Sequence, residues 1–117
     1  MFGYHGSTAL VTGASKGIGE VFAEHLAARG MNLVLVARSE EKLEALAREL
    51  QTAHGIQVES IAFDLAQPRA GQQLANKVID RGLHIDLLVN NAGFGDQGRF
   101  LQLSLERQLV DSFAQMV

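Results

Sequence analysis

Three glycines are the residues of this chain best placed to bind a ligand. Gly13, Gly17 and Gly19 follow a short apolar run at residues 9–11, and a helix-like pattern begins directly after them. Glycine permits a left-handed backbone and close approach of other groups, so we expect Gly13 to reverse the chain, Gly17 to leave room for a phosphate, and Gly19 to let the helix lie close to the sheet. The N–H groups and the positive dipole end at such a helix start bind anions, and a diphosphate fits that description.

The glycine spacing is G-x-x-x-G-x-G, which differs from the general dinucleotide-binding pattern. A glycine-rich turn that binds nothing is therefore the alternative. A second motif, N-N-A-G, occupies residues 90–93. Together with T-G-A-S-K-G-I-G at residues 12–19, it resembles the cofactor-binding half of the classical short-chain dehydrogenase/reductase family, and the resemblance covers residues 7–109.

The resemblance implies a set of cofactor-binding residues. They are Gly13, Ser15, Lys16, Gly17, Ile18, Gly19, Arg38, Asp64, Leu65, Asn90, Ala92 and Gly93. In dinucleotide-binding folds, an acidic residue after the second strand accepts hydrogen bonds from a ribose 2′-hydroxyl, whereas an arginine accommodates a 2′-phosphate. This chain has Arg38 there and a second cation, Lys16, inside the glycine turn, so we predict NADP in preference to NAD. The alternative is a pair of solvated surface charges.

The remaining implied contacts each have a structural alternative. The resemblance places Asp64 at the adenine amino group, beside the backbone N–H of Leu65, but Asp64 could instead cap a turn. It also implies that Asn90, Ala92 and Gly93 close over the adenosine ribose. Asn90 or the next residue could instead satisfy hydrogen bonds of the loop, and Thr12 could tie this loop to the first turn.

The catalytic residues of the resembled family have no counterpart in this sequence. The family uses a tyrosine followed four positions later by a lysine, together with an upstream serine. The only tyrosine here is Tyr4, with Thr8 four positions later, and it precedes the first strand. We therefore expect no catalytic residue. We also expect a truncated or frame-disrupted gene product, or a fragment from proteolysis, whose residues 110–117 are atypical. It would be inactive alone; a non-catalytic nucleotide-binding or interaction protein is the alternative.

The order of predicted elements is that of an α/β protein. We expect strands at 7–12, 33–37, 57–63 and 85–89, with helices at 17–29, from Ser39 to Gly55, from Pro68 to Gly82, and from near Ser104. This alternation predicts one domain over residues 1–117, a partial Rossmann fold with a four-stranded parallel sheet in the order 3-2-1-4. The fourth strand would then have an unpaired edge, and Leu101, Leu103 and Leu105 would lack cover, which predicts a homo-oligomer. The alternative is that the final segment folds back over this edge and covers it within one chain.

Composition excludes several other classes of function. The net charge is −3 without a basic block, which argues against nucleic acid as the main partner. The absence of cysteine excludes disulfides and thiol catalysis, and the four histidines share no metal-ligand spacing. There is no apolar run long enough to span a membrane, and the first residues lack a secretory pattern, so a cytoplasmic location is expected.

Overall fold

A computed structural model describes residues 5–91, 96–108 and 114–116. Its elements alternate along the chain: β1 (Thr8–Thr12), α1 (Gly17–Ala28), β2 (Asn32–Ala37), α2 (Glu40–His54), β3 (Val58–Ala62), α3 (Ala70–Asp80), β4 (Leu87–Asn90), α4 (Asp96–Gln108) and β5 (Ala114–Met116). All the strand pairs are parallel, in the order β3-β2-β1-β4-β5. The predicted order 3-2-1-4 is confirmed, and a short fifth strand is added beside β4.

The sheet lies between two helical layers, each with its own apolar core. α1 and α2 cover the face that carries Val11, Leu35 and Val89. α3 and α4 cover the opposite face, with Val34 and Leu88. Adjacent residues of β2 and β4 thus point into different cores, which is why these strands are continuous apolar runs.

The ends of α2 follow from local sequence. Ser39 caps its first turn, because the hydroxyl oxygen accepts a hydrogen bond from the Lys42 N–H at 3.3 Å. Gly55 ends it in the left-handed conformation at φ 66°. Leu43 and Leu50 lie on its buried stripe, as the helical spacing predicts.

The starts of the next two helices differ from the prediction. α3 begins at Ala70, two residues after Pro68, and its N-cap is Arg69 at φ 56°, in the left-handed region. α4 begins at Asp96 rather than near Ser104. Gly98 obscured this start in the sequence, since glycine inside a helix usually indicates a break.

The prediction of an unpaired β4 edge is wrong. Residues 114–116 pair with it in parallel, with Leu87 opposite Ala114 and Val89 opposite Met116. The expected loss of cover on α4 is also wrong for Leu101 and Leu105, which are fully buried against α3 and the sheet. The edge of the sheet on this side is therefore β5, so the unpaired β4 edge no longer argues for self-association, whereas Leu103 is 39% exposed as expected.

Candidate functional site

An open cleft of about 730 Å³ lies where the chain leaves the carboxyl ends of β1, β2 and β3. Ligands bind outside the carboxyl ends of the strands in open α/β sheets, and this cleft has that position. The residues that line it come from the glycine turn, the start of α2, the loop after β3 and the start of α4: Gly13, Ser15, Lys16, Ala37, Arg38, Ser39, Lys42, Phe63, Asp64, Leu65, Ala66, Gln67 and Gln97.

The glycine turn has the geometry that its sequence predicts. Gly13 and Gly17 have φ values of 65° and 62°, in the left-handed region. A methyl group on Gly17 would meet no atom of the described chain within 4 Å. A methyl group on Gly19 would collide with the carbonyl oxygen of Gly13 and would lie 2.9 Å from the side-chain Nδ2 of Asn91. The Ala14 N–H donates to the Val36 carbonyl at 3.1 Å, which fixes the turn against the end of β2.

The first turn of α1 presents backbone N–H groups beside this turn. Its N-cap residue, Lys16, has an extended backbone and makes no side-chain hydrogen bond to the helix. The first N–H groups of a helix have no carbonyl acceptor within the helix, and a bound anion can accept hydrogen bonds from them. Ile18, in the same turn, is 66% exposed and does not line the cleft.

Three cationic side chains line the cleft: Lys16, Arg38 and Lys42. All three residues are exposed. Within residues 5–91, 96–108 and 114–116, neither observed ion pair involves any of them. Lys42 was not predicted from the sequence. Its place in the cleft depends on the direction in which α2 leaves the end of β2, and no local sequence pattern reports that direction.

Asp64 fills the turn-capping role that was its structural alternative. Its Oδ1 accepts a hydrogen bond from the Ala66 N–H at 2.9 Å, and the Gln67 side chain donates to its backbone carbonyl at 2.9 Å. The residue is exposed and lines the cleft beside the half-buried Leu65. Capping holds the carboxylate in place and leaves Oδ2 without a hydrogen bond among the described residues.

Gln97, at the start of α4, also lines this end of the cleft and was missed by sequence reasoning. Its Oε1 accepts a hydrogen bond from the Gly71 N–H at 3.0 Å, across 26 positions of sequence. A methyl group on Gly71 would collide with the Gln97 carbonyl oxygen, so the two helices touch through their backbones. No local sequence pattern reports such a contact.

Thr12 joins the carboxyl ends of β1 and β4. It is fully buried, its hydroxyl lies 3.2 Å from Asn90 Oδ1, and it accepts a hydrogen bond from the Asn91 N–H at 2.9 Å. The predicted tie between the loop and the first turn is confirmed. Asn90 takes part in this tie and does not line the cleft. Ala92 and Gly93 lie outside the described residues.

The described residues contain no group of three or more His, Cys, Asp or Glu that could hold a metal ion. No helix among them has the length and apolar character needed to cross a bilayer.

A model of the short chain dehydrogenase family matches residues 7–116, which is most of the sequence. This chain belongs to the short-chain dehydrogenase family. The fold is the one that the resemblance implied.

Curated relatives in this family include two fungal proteins named very-long-chain 3-oxoacyl-CoA reductase. The protein from Phaeosphaeria nodorum is 43% identical over 94 residues, which are 79% of this chain and 28% of the relative. The protein from Aspergillus fumigatus is 44% identical over 92 residues, which are 79% of this chain and 27% of the relative. This chain therefore spans less than a third of the length of these two relatives.

Solved structures of family members superimpose well on the chain. A short-chain dehydrogenase from Sphingobium yanoikuyae in complex with NADPH gives a TM-score of 0.78 at 31% identity, and covers 87% of this chain and 48% of that one. L-Sorbose reductase from Gluconobacter frateurii, complexed with NADPH and L-sorbose, gives a TM-score of 0.73 at 33% identity. The match covers 94% of this chain and 48% of the reductase chain. The matched part is about half of each structure.

Proposed function

We propose that the cleft binds NADP(H), and that the chain is the cofactor-binding part of an oxidoreductase acting on a carbonyl or alcohol. The observation that carries this proposal is the presence of Lys16 and Arg38 in one cleft, at the glycine turn and directly after β2. A cation after β2 suits the 2′-phosphate of NADP, whereas an acid would suit the free 2′-hydroxyl of NAD. The NADPH complexes of two structural relatives support the same choice.

The residues of the cleft fit the parts of such a nucleotide. The diphosphate would lie against the N–H groups of the first turn of α1, where Gly17 has no side chain to obstruct it. Asp64 and the Leu65 backbone would hold the adenine. Asn90 does not line the cleft, and Ala92 and Gly93 lie outside the described residues; we propose that these three residues contact the adenosine ribose, with Asn90 oriented by Thr12.

Bound NADPH would supply a hydride to a carbonyl carbon. The resulting alkoxide needs a proton, which a positioned acid must deliver. In the resembled family that acid is a tyrosine, and the only tyrosine of this chain, Tyr4, precedes β1. We therefore propose that this chain has no turnover by itself.

The proposal stops at the carbonyl or alcohol class of substrate. The curated relatives carry the name of an acyl-CoA reductase, and one structural relative is a sugar reductase. Both match this chain through the same cofactor-binding part, so the similarity supports the cofactor rather than a particular substrate.

Calorimetric titration with NADPH and NADH tests the proposal. Arg38→Ala should weaken NADPH binding by roughly 1.5–3 kcal/mol, the scale of a hydrogen bond to a charged group, and should leave NADH nearly unchanged. Arg48→Ala is the matched control, because Arg48 is exposed on α2 and does not line the cleft. An equal loss for both cofactors would show that Arg38 does not contact a 2′-phosphate.

A spectrophotometric assay tests the absence of turnover. The purified chain, given NADPH and a panel of carbonyl compounds, should oxidise no NADPH above background. Substantial turnover would refute the proposal and would require an unrecognised proton donor. Binding without turnover, with a partner chain that co-purifies, would favour a nucleotide-dependent interaction protein instead.

Self-association is proposed on the apolar surface of α4. Phe100 is 52% exposed and Leu103 is 39% exposed, one helical turn apart. Exposed apolar side chains grouped in this way are found at association surfaces. Light scattering over a dilution series should show a concentration-dependent mass, and a constant monomer mass at high concentration would contradict this.

A further inference from the structure

The cleft has a charge opposite to that of the chain as a whole. The full sequence has a net charge of −3. The cleft is lined by three cations, Lys16, Arg38 and Lys42, and by one carboxylate, Asp64. Two of these cations, Arg38 and Lys42, come from the five residues around the start of α2. A local positive field of this kind attracts a multiply charged anion to that side of the cleft.

Lys42 occupies a position that is unfavourable for a lysine in an isolated helix. It is the third residue of α2, where the positive end of the helix dipole favours acidic side chains. Glu40 and Glu41 follow that rule in the same turn, yet neither lines the cleft. Among these three residues, only Lys42 has the charge that the helix dipole disfavours, and only Lys42 lines the cleft. This indicates a role for Lys42 outside helix stability.

The backbone around Lys42 is held firmly. The Lys42 N–H donates to Ser39 Oγ at 3.3 Å, and the Leu43 N–H donates to the Ser39 carbonyl at 3.1 Å. Leu43 itself is fully buried. Since the Ser39 oxygen acts as an acceptor toward the helix, its hydroxyl hydrogen stays available to a ligand. The turn therefore presents a hydroxyl and an ammonium group from a fixed backbone.

We propose that Lys42 is a specificity-determining residue for the 2′-phosphate of NADP(H), acting with Arg38. This role of Lys42 rests on the proposed function. It extends the binding of the cofactor from the glycine turn and the end of β2 to a residue in the first turn of α2. The diphosphate would be held at the start of α1. Lys42 instead lies four residues after Arg38, in the first turn of α2, on the side of the cleft where a 2′-phosphate would meet Arg38.

The test uses nucleotide fragments that differ in the 2′-phosphate. Adenosine 2′,5′-bisphosphate carries that phosphate, and 5′-AMP lacks it. Lys42→Gln should weaken binding of the bisphosphate and of NADPH by roughly three- to fivefold, the upper part of the range for an exposed charge pair, and should change 5′-AMP and NADH binding by less than about twofold. The loss should shrink as salt is raised, because exposed charges are screened.

Two further variants complete the design. Lys77→Gln removes a lysine that is exposed on α3 and does not line the cleft, so it should leave all four affinities unchanged. Lys42→Arg keeps the charge and should retain most of the preference for the bisphosphate. Circular dichroism melting checks that every variant is folded.

The outcomes separate this inference from the proposed function. If the wild-type chain prefers NADPH through Arg38 but Lys42→Gln binds every ligand as the wild type does, the role of Lys42 is overturned and the proposed function stands. An equal loss for 5′-AMP and the bisphosphate also overturns it, since it would mean that Lys42 contacts another part of the nucleotide. If the wild-type chain binds neither cofactor, both proposals fail.

Discussion

Gly17 and Gly55 form a matched pair that separates backbone strain from ligand contact. Their φ values are 62° and 66°, and both residues are exposed. A methyl group on either would meet no atom of the described chain within 4 Å. The two differ in place, since Gly17 begins α1 beside the cleft and Gly55 ends α2 at the opposite end of the strands.

Substitution by alanine should therefore cost the same stability at both positions. Holding a residue with a Cβ in the left-handed region costs roughly 1–2 kcal/mol, and neither site adds a steric term to this strain. NADPH should distinguish the two variants. The methyl group of Gly17→Ala would occupy the approach to the first turn of α1, so we expect at least about a tenfold loss of NADPH affinity there, or 1.4 kcal/mol. Gly55→Ala should bind NADPH as the wild type does.

Urea unfolding and calorimetric NADPH titration of both variants supply the two measurements. Gly19→Ala is a third variant to compare. Its methyl group would collide with the Gly13 carbonyl, so overpacking should lower its free energy of unfolding by roughly 1–3 kcal/mol. Equal NADPH affinities for Gly17→Ala and Gly55→Ala would refute the placement of a phosphate at Gly17. A much larger stability loss for Gly17→Ala than for Gly55→Ala would refute the open space around it.

Three other substitutions test contacts that support the cleft. Thr12→Val removes the acceptor of the part-buried Asn91 N–H, so the free energy of unfolding should fall by about 0.5–1.5 kcal/mol; an unchanged urea midpoint would contradict this. Gln97→Ala removes the acceptor of the Gly71 N–H, and thermal melting should show a loss of roughly 0.5–1.5 kcal/mol, whereas no loss would mean that water replaces the amide. Arg69→Gly should raise stability by about 1 kcal/mol in the same assays, because glycine relieves the left-handed φ of 56°, and a decrease would show that the arginine side chain matters more than the strain.

Sequence reasoning succeeded where a local pattern determines the structure. The apolar run of β2 fits a strand buried on both faces, and the glycine spacing fits a tight turn between a strand and a helix. The alternation of strands and helices then predicts the parallel sheet. It failed where a contact between distant segments decides. The early start of α4 depends on packing against Gly71, and Gly98 concealed it. The pairing of residues 114–116 with β4 has no signal in so short a segment.

The same distinction applies within the candidate site. Lys16 and Arg38 were predicted because their places relative to a glycine turn and a strand end have a known chemical meaning. Lys42 and Gln97 reach the cleft only through the direction of α2 and the position of α4. Those directions are tertiary properties, and the helical spacing of the sequence does not contain them.

Gln97 apart, the lining of the cleft comes from three connections of the chain, at residues 13–16, 37–42 and 63–67, with about 20 positions separating successive segments. A molecule that touches all three crosslinks parts of the chain that separate when the domain opens. Occupancy would then add to global stability by mass action, about 2.7 kcal/mol at a ligand concentration one hundred times Kd. Resistance of this chain to proteases should consequently rise with the concentration of the nucleotide around it, so the pool of cofactor would set the lifetime of the protein as well as the fraction of clefts that are filled.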